Sequence, residues 1–401
     1  MTRPRAATAG LDAGDRRVAA RHLLSSPVLT AARQPAELEL VRRNAAALKS
    51  MFASQLGYAL IVEAGFARLV KAPLPEAAPV RPARRATDDS PFTAATYVHL
   101  ALAGAALLAP GVGEQVLLSS LVDQIRADAA EQSIVITDGI SDRRQLVTAL
   151  RLLAAWGVVS ETDGSLAGWG ERRDDEALLS INRSLLVHLL PIPLHQFSAA
   201  ADTWSPDQAD PPRRRLRRRL VESPAVFRAE LPDDELDVLS RERHELARHL
   251  DENFGLVLEV RAEGALAYDP AGVLTDLDFP GGGSAKQAAL LLLDGLVAVL
   301  RPPPGSVVAV AGRPLPAVLA PWPQVDFVLG GLVNRHRLAW KDAYTQSPAV
   351  LRGDVVSLLT ALRLAEPADG GLVIFPFAAR YQPEVTTRSA TRSAGPEEAG
   401  S

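Results

Sequence analysis

The chain has 401 residues, more than one ordinary domain of roughly 100 to 150 residues holds, so two or three globular units are expected. With 47% hydrophobic and 22% charged residues it is neither disordered nor fibrous. Lys and Arg number 43 against 47 Asp and Glu, a net charge of −4, so any contact with nucleic acid must come from a local patch. The absence of cysteine removes disulfides, thiolate metal sites, iron–sulfur ligation and thiol nucleophiles together, and it fits a reducing, cytoplasmic location.

In chain order, composition divides the sequence at its polar stretches. Residues 1–15 read as a disordered arm; they have early arginines but no apolar segment, and Asp12 and Asp15 stand where a secretion signal would be apolar. A helix–strand subdomain is expected over 16–75, a linker rich in Pro, Arg and Asp over 76–91, and a first winged-helix domain over 92–197. A second linker covers 198–212, a second helix–strand subdomain 213–280, and a second winged-helix domain 281–382. That last domain holds a Pro-rich insert over 301–323, and 383–401 reads as a disordered tail. The most apolar runs, 97–109 and 290–300, are too short to span a bilayer, which takes about 20 apolar residues, so no membrane association is expected.

The two halves read as copies of one another. Leu23-Leu24-Ser25-Ser26-Pro27 recurs as Leu220-Val221-Glu222-Ser223-Pro224, with Arg17 and Arg21 answered by Arg214 and Arg218. One amphipathic helix is predicted from Glu37 to Leu56 and another from Glu235 to Phe254. Gly57 and Gly255 supply the C-caps, and alternating strands begin at Tyr58 and Leu256. Helices are predicted at 94–108, 118–130 and 142–156, then a strand, an Asp163-Gly164 hairpin turn and another strand, which is the winged-helix order. The second half repeats it with helices at 285–300, 324–342 and 353–364 and a turn at Asp369-Gly370. The fold class expected is therefore α+β, mostly helical, and internally duplicated, with tandem winged-helix domains each preceded by a helix–helix–strand subdomain.

The stretches LLSSPVLT (23–30), ELELVRRNAAALKSMFASQLGYALIVEAGFARLVKAPLP (37–75), PFTAATYVHLALA (91–103), LVESPAVF (220–227), LDENFGLVLEVRAEGALAYDPAGVLTDLDFP (250–280) and FAARYQPE (377–384) carry a resemblance to a known family. The sequence resembles the MukE-like, tandem winged-helix KITE subunits of Wadjet-type SMC plasmid-defence complexes, in their longer actinobacterial form. The resemblance covers most of 16–383, and its motifs are signatures of fold, not of catalysis. It implies a non-enzymatic structural subunit that binds a kleisin-like subunit and an SMC-like ATPase, within a complex that extrudes plasmid DNA and hands it to a nuclease subunit.

Two places invite DNA. The run Arg213-Arg214-Arg215-Leu216-Arg217-Arg218-Arg219 is the densest charge on the chain, and Arg214, Arg217 and Arg218 are candidate phosphate contacts. The alternative is a solvated face, or ion pairs to acidic runs such as Asp233-Asp234-Glu235. In the third predicted helix Leu146, Val147, Leu150 and Leu153 make a core stripe, which leaves Arg143, Arg144, Thr148 and Arg151 for solvent or DNA. The wing that follows, Ser160-Glu161-Thr162-Asp163-Gly164, is acidic and argues against phosphate contact there.

Catalysis and cofactors find no motif. Gly281-Gly282-Gly283-Ser284-Ala285-Lys286 lacks the Gly-Lys-Ser/Thr of a phosphate loop, and Ser284 reads as a helix cap. Asp276 and Asp278 have no His or third carboxylate beside them, and the seven histidines form no ligand pair, so neither metal nor cofactor is expected. The long aliphatic runs of the helices at 94–108 and 285–300 suit homodimerisation. The rival readings are a stand-alone winged-helix transcriptional regulator and, more remotely, a nuclease accessory enzyme using Asp276 and Asp278.

Overall fold

The computed structural model describes residues 5–74, 81–88, 90–137, 139–171, 176–189, 210–310 and 312–381. The chain is α+β, mostly helical, with its strands in small antiparallel sheets. It forms two compact units. One holds Met1–Val226, Glu230–Val260 and Ala265–Thr275, and the other Phe227–Ala229, Arg261–Gly264 and Asp276–Ser401. Most of the second predicted linker and the C-terminal tail lie outside the described residues, as do residues 76–80 of the first linker.

The first unit opens with α1 (Arg5–Ser25), β1 (Val28–Thr30), α2 (Pro35–Arg43), α3 (Ala45–Gln55), β2 (Ala59–Val62) and β3 (Phe66–Val70), with β3 central in the order β1-β3-β2. Two expectations change here. Helix α1 begins at Arg5, inside the segment whose polarity reads as a disordered arm, because that segment is also rich in alanine, the strongest helix former. The single helix expected before Gly57 is two, broken at Asn44, whose side-chain amide donates to Leu40 O at 2.9 Å and competes with the helical ladder.

Next come α4 (Ala94–Leu108), β4 (Gln115–Leu117), α5 (Leu118–Glu131), α6 (Ile140–Ala155), β5 (Val159–Gly164), the short α7 (Leu166–Glu171), β6 (Ala177–Ile181) and the short α8 (Arg183–Val187). Their sheet has the order β4-β6-β5. Leu146, Val147, Leu150 and Leu153 of α6 are buried as their spacing predicts, in one core with α4 and α5. The expected Asp163-Gly164 hairpin turn is not one. Both residues pair with β6 across a bulge, and α7 lies between the strands. Gly164 has φ +67°, and a Cβ there would meet Glu176 O at 2.1 Å, so the close approach of the paired strand requires glycine.

The remainder of this unit is α9 (Pro212–Glu222), β7 (Val226–Phe227), α10 (Asp233–Arg241), α11 (Arg243–Phe254), β8 (Val257–Val260) and β9 (Gly264–Tyr268), with the order β7-β9-β8. Here too one predicted helix is two, broken at Glu242, which Arg213 binds through two hydrogen bonds of 2.5 and 2.6 Å. Both runs contribute to one apolar core: Leu23, Leu48, Phe52 and Leu56 lie with Leu216, Leu250 and Phe254, and the rings of Phe52 and Phe254 sit 6.2 Å apart. The first helix of each run packs on its own run and on the other: α1 on α2 and α11, and α9 on α10 and α3.

The second unit contains α12 (Ser284–Leu300), the hairpin β10 (Val307–Val310) and β11 (Arg313–Pro316), β12 (Val318–Pro321), α13 (Trp322–His336), α14 (Asp342–Gln346), α15 (Pro348–Ala361), β13 (Ala365–Ala368) and β14 (Gly371–Ile374). Its three-stranded sheet is ordered β12-β14-β13. The Pro-rich insert contains that extra hairpin and β12, and Pro314 and Pro316 are tolerated because a two-stranded sheet consists of edges. Asp369-Gly370 is the two-residue turn the sequence predicts, joining Ala368 to Gly371. Ser284 does not cap α12. Gly283 precedes the helix with φ +106°, and Ser284 Oγ instead accepts from the Lys341 amide at 3.1 Å.

Gly57 and Gly255 end α3 and α11 at φ +72° and +69°, a region that L-residues enter at a cost of about 1–2 kcal/mol. A Cβ on Gly57 would also lie 2.8 Å from Arg214 Cδ, whereas on Gly255 the closest atom, Arg21 Nη1, is 3.2 Å away. Gly57→Ala is therefore expected to destabilise more than Gly255→Ala, each by at least about 1 kcal/mol in urea unfolding. Equal or negligible losses would contradict this reading of the two caps.

Candidate functional site

Helix α9 carries the arginine run, and its geometry follows from amphipathic spacing. Leu216 and Leu220 are buried, and the arginines radiate from the remaining faces. Each of the six has a partner. Arg213 pairs with Glu242, Arg214 with Asp210 at 2.8 Å, and Arg215 with Asp234 and Glu235 at 2.6 and 2.8 Å. Arg219 reaches the other oxygen of Glu235 at 2.8 Å, so two guanidiniums neutralise a carboxylate with no solvent exposure. Arg217 donates to Gln55 Oε1 at 2.8 Å.

Arg218 is 4% exposed, and it donates to Leu56 O at 3.2 Å, to Pro73 O at 3.1 Å and to Asp210. Leu56 is the last residue before the Gly57 cap, so a cation sits on the orphan carbonyls at the C-terminus of α3. The other run has a counterpart. Arg21 of α1 donates to Phe254 O at 3.0 Å, just before the Gly255 cap, and grips Asp269 through two hydrogen bonds of 3.1 and 2.6 Å. Sequence comparison pairs these arginines and glycines but gives no sign that each arginine serves the other run's helix. Nor does it single out Asp210, Asp269 or Gln55 as their partners.

Arg214, Arg217 and Arg218 thus hold the fold together, and the ion-pair alternative describes the run: the pairs reach Asp234 and Glu235 as well as Asp210 and Glu242. A phosphate meeting Arg214, Arg217 or Arg218 would compete with partners already in place, most strongly at the buried Arg218.

Helix α6 presents a different picture. Arg143 is half-buried and lines a cleft with His99, Asp142 and Trp169, where its Nε is buried without a hydrogen-bond partner. Asp142 is tied to Thr137 by hydrogen bonds of 2.5 Å from the hydroxyl and 2.7 Å from the amide, which hold its carboxyl below the usual range. Arg144 and Arg151 are exposed, and among the described residues neither makes an ion pair. Seven residues apart, they share one stripe of the helix with Thr148, whose hydroxyl donates to Arg144 O at 2.7 Å. In the second unit, α15 exposes Val350, Asp354, Ser357 and Thr360, and its Arg352 pairs with Asp326 at 3.0 Å. The strand β5 after α6 exposes Glu161 and Asp163.

Residues 20–384 match the model of a family described as a protein of unknown function, DUF2398. The chain belongs to the DUF2398 family. No curated protein and no solved structure matches it. In this DUF2398 chain Lys286 lies 3.5 Å from Asp278, and among the described residues Asp276 and Asp278 join no group of three metal-binding side chains. No helix among the described residues is long and apolar enough to cross a membrane.

The clasp around Asp269 yields a pH signature. Its side chain is 3% exposed, and burial raises its pKa; the Arg21 hydrogen bond and the amides of Leu274, Ala271 and Val273 outweigh burial and bring it down to about 2. A depressed carboxylate stabilises the fold above its unfolded pKa, near 4, and that increment is lost as pH falls through about 2. Asp269→Asn is expected to be less stable than wild type by about 2 kcal/mol at pH 7, with the gap closing between about pH 4 and 2 in urea unfolding. A gap that stays constant over that range would contradict the assignment.

Proposed function

We propose that this DUF2398 protein is a non-catalytic, internally duplicated tandem winged-helix subunit of an SMC-like DNA-translocating complex that acts against plasmids. On this reading it binds a kleisin-like subunit, works beside an SMC-like ATPase and a nuclease subunit in the cytoplasm, and pairs with a second copy of itself. The observation that carries the reading is topological. Helix, strand, helix, helix and two strands occur in both units with the strand order first-third-second, in β4-β6-β5 and in β12-β14-β13. The helix–strand runs repeat as well, with orders β1-β3-β2 and β7-β9-β8. Two similar modules with separate surfaces suit a connector between partners, and both helices expected to mediate dimerisation expose apolar side chains: Tyr97 and Val98 on α4, and Val297 and Val299 on α12.

The second reading, direct contact with duplex DNA by this chain as part of the complex or as a stand-alone regulator, is favoured by the exposed, unpaired Arg144 and Arg151 on the third helix of the first module. The acidic wing beside them limits it to contact with phosphates.

Co-expression with a coiled-coil ATPase and a kleisin-like protein encoded beside it should give one co-eluting species on size exclusion. Elution of the chain apart from both would contradict the subunit reading. For DNA, Arg144→Gln with Arg151→Gln should reduce the slope of log affinity against log salt by about two, near 0.9 for each phosphate no longer neutralised. An unchanged slope would assign both arginines to a solvated face.

A further inference from the structure

The first helix–strand run is seated on the module that follows it, at the C-terminal end of α6. Val28, Ile61 and Phe66 pack with the core of that module, and the Phe66 ring lies 5.7 Å from the ring of His188. The turn between β1 and α2 is closed by the amides of Arg33 and Gln34, which donate to Thr30 O at 3.1 and 2.9 Å. Thr30 lies against Gly157, two residues past α6, where a Cβ would be 3.1 Å from Thr30 Cγ2. Arg33 therefore reaches α6 from a fixed support, and its Nη1 donates to Ala154 O at 3.3 Å and also to Ala155 O. The last carbonyls of a helix lack donors and carry partial negative charge, and a guanidinium answers both needs.

That contact leaves the charge of Arg33 in place. The residue is exposed, its partners are neutral carbonyls, and among the described residues no carboxylate pairs with it. It extends a line that α6 already carries. Positions 144, 148, 151 and 155 recur at spacings of three and four and share one stripe: the exposed, unpaired Arg144 and Arg151, the half-buried Thr148, and Ala155, whose carbonyl holds Arg33. From Arg144 to Ala155 is about 16 Å of helix. Over that length stand three cations, with no carboxylate and no large apolar side chain on the stripe. Protein interfaces draw on apolar or aromatic anchors, which this line does not offer. A polyanion needs none: duplex DNA presents a phosphate charge about every 1.7 Å of its axis, so a 16 Å length offers about nine.

We infer that Arg33 is a phosphate contact for duplex DNA, lent by the first helix–strand run to the line that Arg144 and Arg151 begin, so that the DNA-binding surface spans both subdomains. The presence of DNA rests on the second reading above; what is added is a contact from outside the module.

The test uses the full chain and a short fluorescein-labelled DNA duplex, with anisotropy measured across a salt series. Arg33→Gln should lower the slope of log affinity against log salt by about 0.9, the share of one phosphate. Arg33→Lys keeps the charge and should keep the slope. A purely structural role would show as a lower urea midpoint for Arg33→Gln with the slope unchanged, and that outcome would overturn the inference. Equal loss of slope in Arg33→Lys and Arg33→Gln would tie the effect to the carbonyl clasp instead of the charge, and would overturn it too. Polyglutamate that competes as well as unlabelled duplex would assign the line to an acidic protein and count against it in the same way. If Arg33→Gln leaves the slope unchanged while Arg144→Gln with Arg151→Gln lowers it, the Arg33 contact alone is refuted. If neither change alters the slope, the DNA reading falls and the contact with it.

Discussion

An arginine placed on the end of another run's helix is the interaction on which the first unit depends. Arg218 reaches the carbonyl of Leu56, and Arg21 reaches that of Phe254, each beside a glycine in the left-handed conformation. A helix C-terminus carries unpaired carbonyls and partial negative charge, so a buried guanidinium there satisfies both needs at once. Each guanidinium also needs a carboxylate to be buried without penalty, and Asp210 and Asp269 provide it. Each run's helix end is thus completed by an arginine of the other run. Tyr58 and Lys71 of the first run reinforce this by meeting Glu222 of the second, at 2.8 and 2.9 Å, and burial together with Glu222 pushes the Tyr58 hydroxyl pKa up.

This arrangement decides what is left for function. Six arginines that look like a nucleic-acid patch are spent on the fold, so the densest charge in the sequence is not the most available charge on the surface. Exposed cations stand elsewhere, among them Arg144 and Arg151 on α6 and Arg43 and Lys49 in the first helix–strand run.

Local signals in the sequence carried the fold far. The apolar spacing of Leu146, Val147, Leu150 and Leu153, the glycine caps at Gly57 and Gly255, and the Asp369-Gly370 turn are written in nearest-neighbour chemistry and appear where expected. What depends on distant residues was not legible. Nothing local marks Asp163-Gly164 as part of a bulged strand, because the decisive contact is with Glu176. Asn44 and Glu242 interrupt helices that periodicity alone runs together. The partners of the arginine run are separated from it by up to about 160 residues, and a charge census could pose the choice between ion pairs and phosphates without resolving it.

The central claim is that the two helix–strand runs form a single cooperative unit through their exchanged arginines. Native-state hydrogen exchange tests it most directly, comparing wild type with Arg21→Met, which removes the cation from the Phe254 carbonyl and from Asp269. The account predicts that protection falls by the same amount in the β1-β3-β2 and β7-β9-β8 sheets, since losing one clasp opens both runs together. A loss confined to β8 and β9, with the first sheet unchanged, would show two independently stable runs and contradict it.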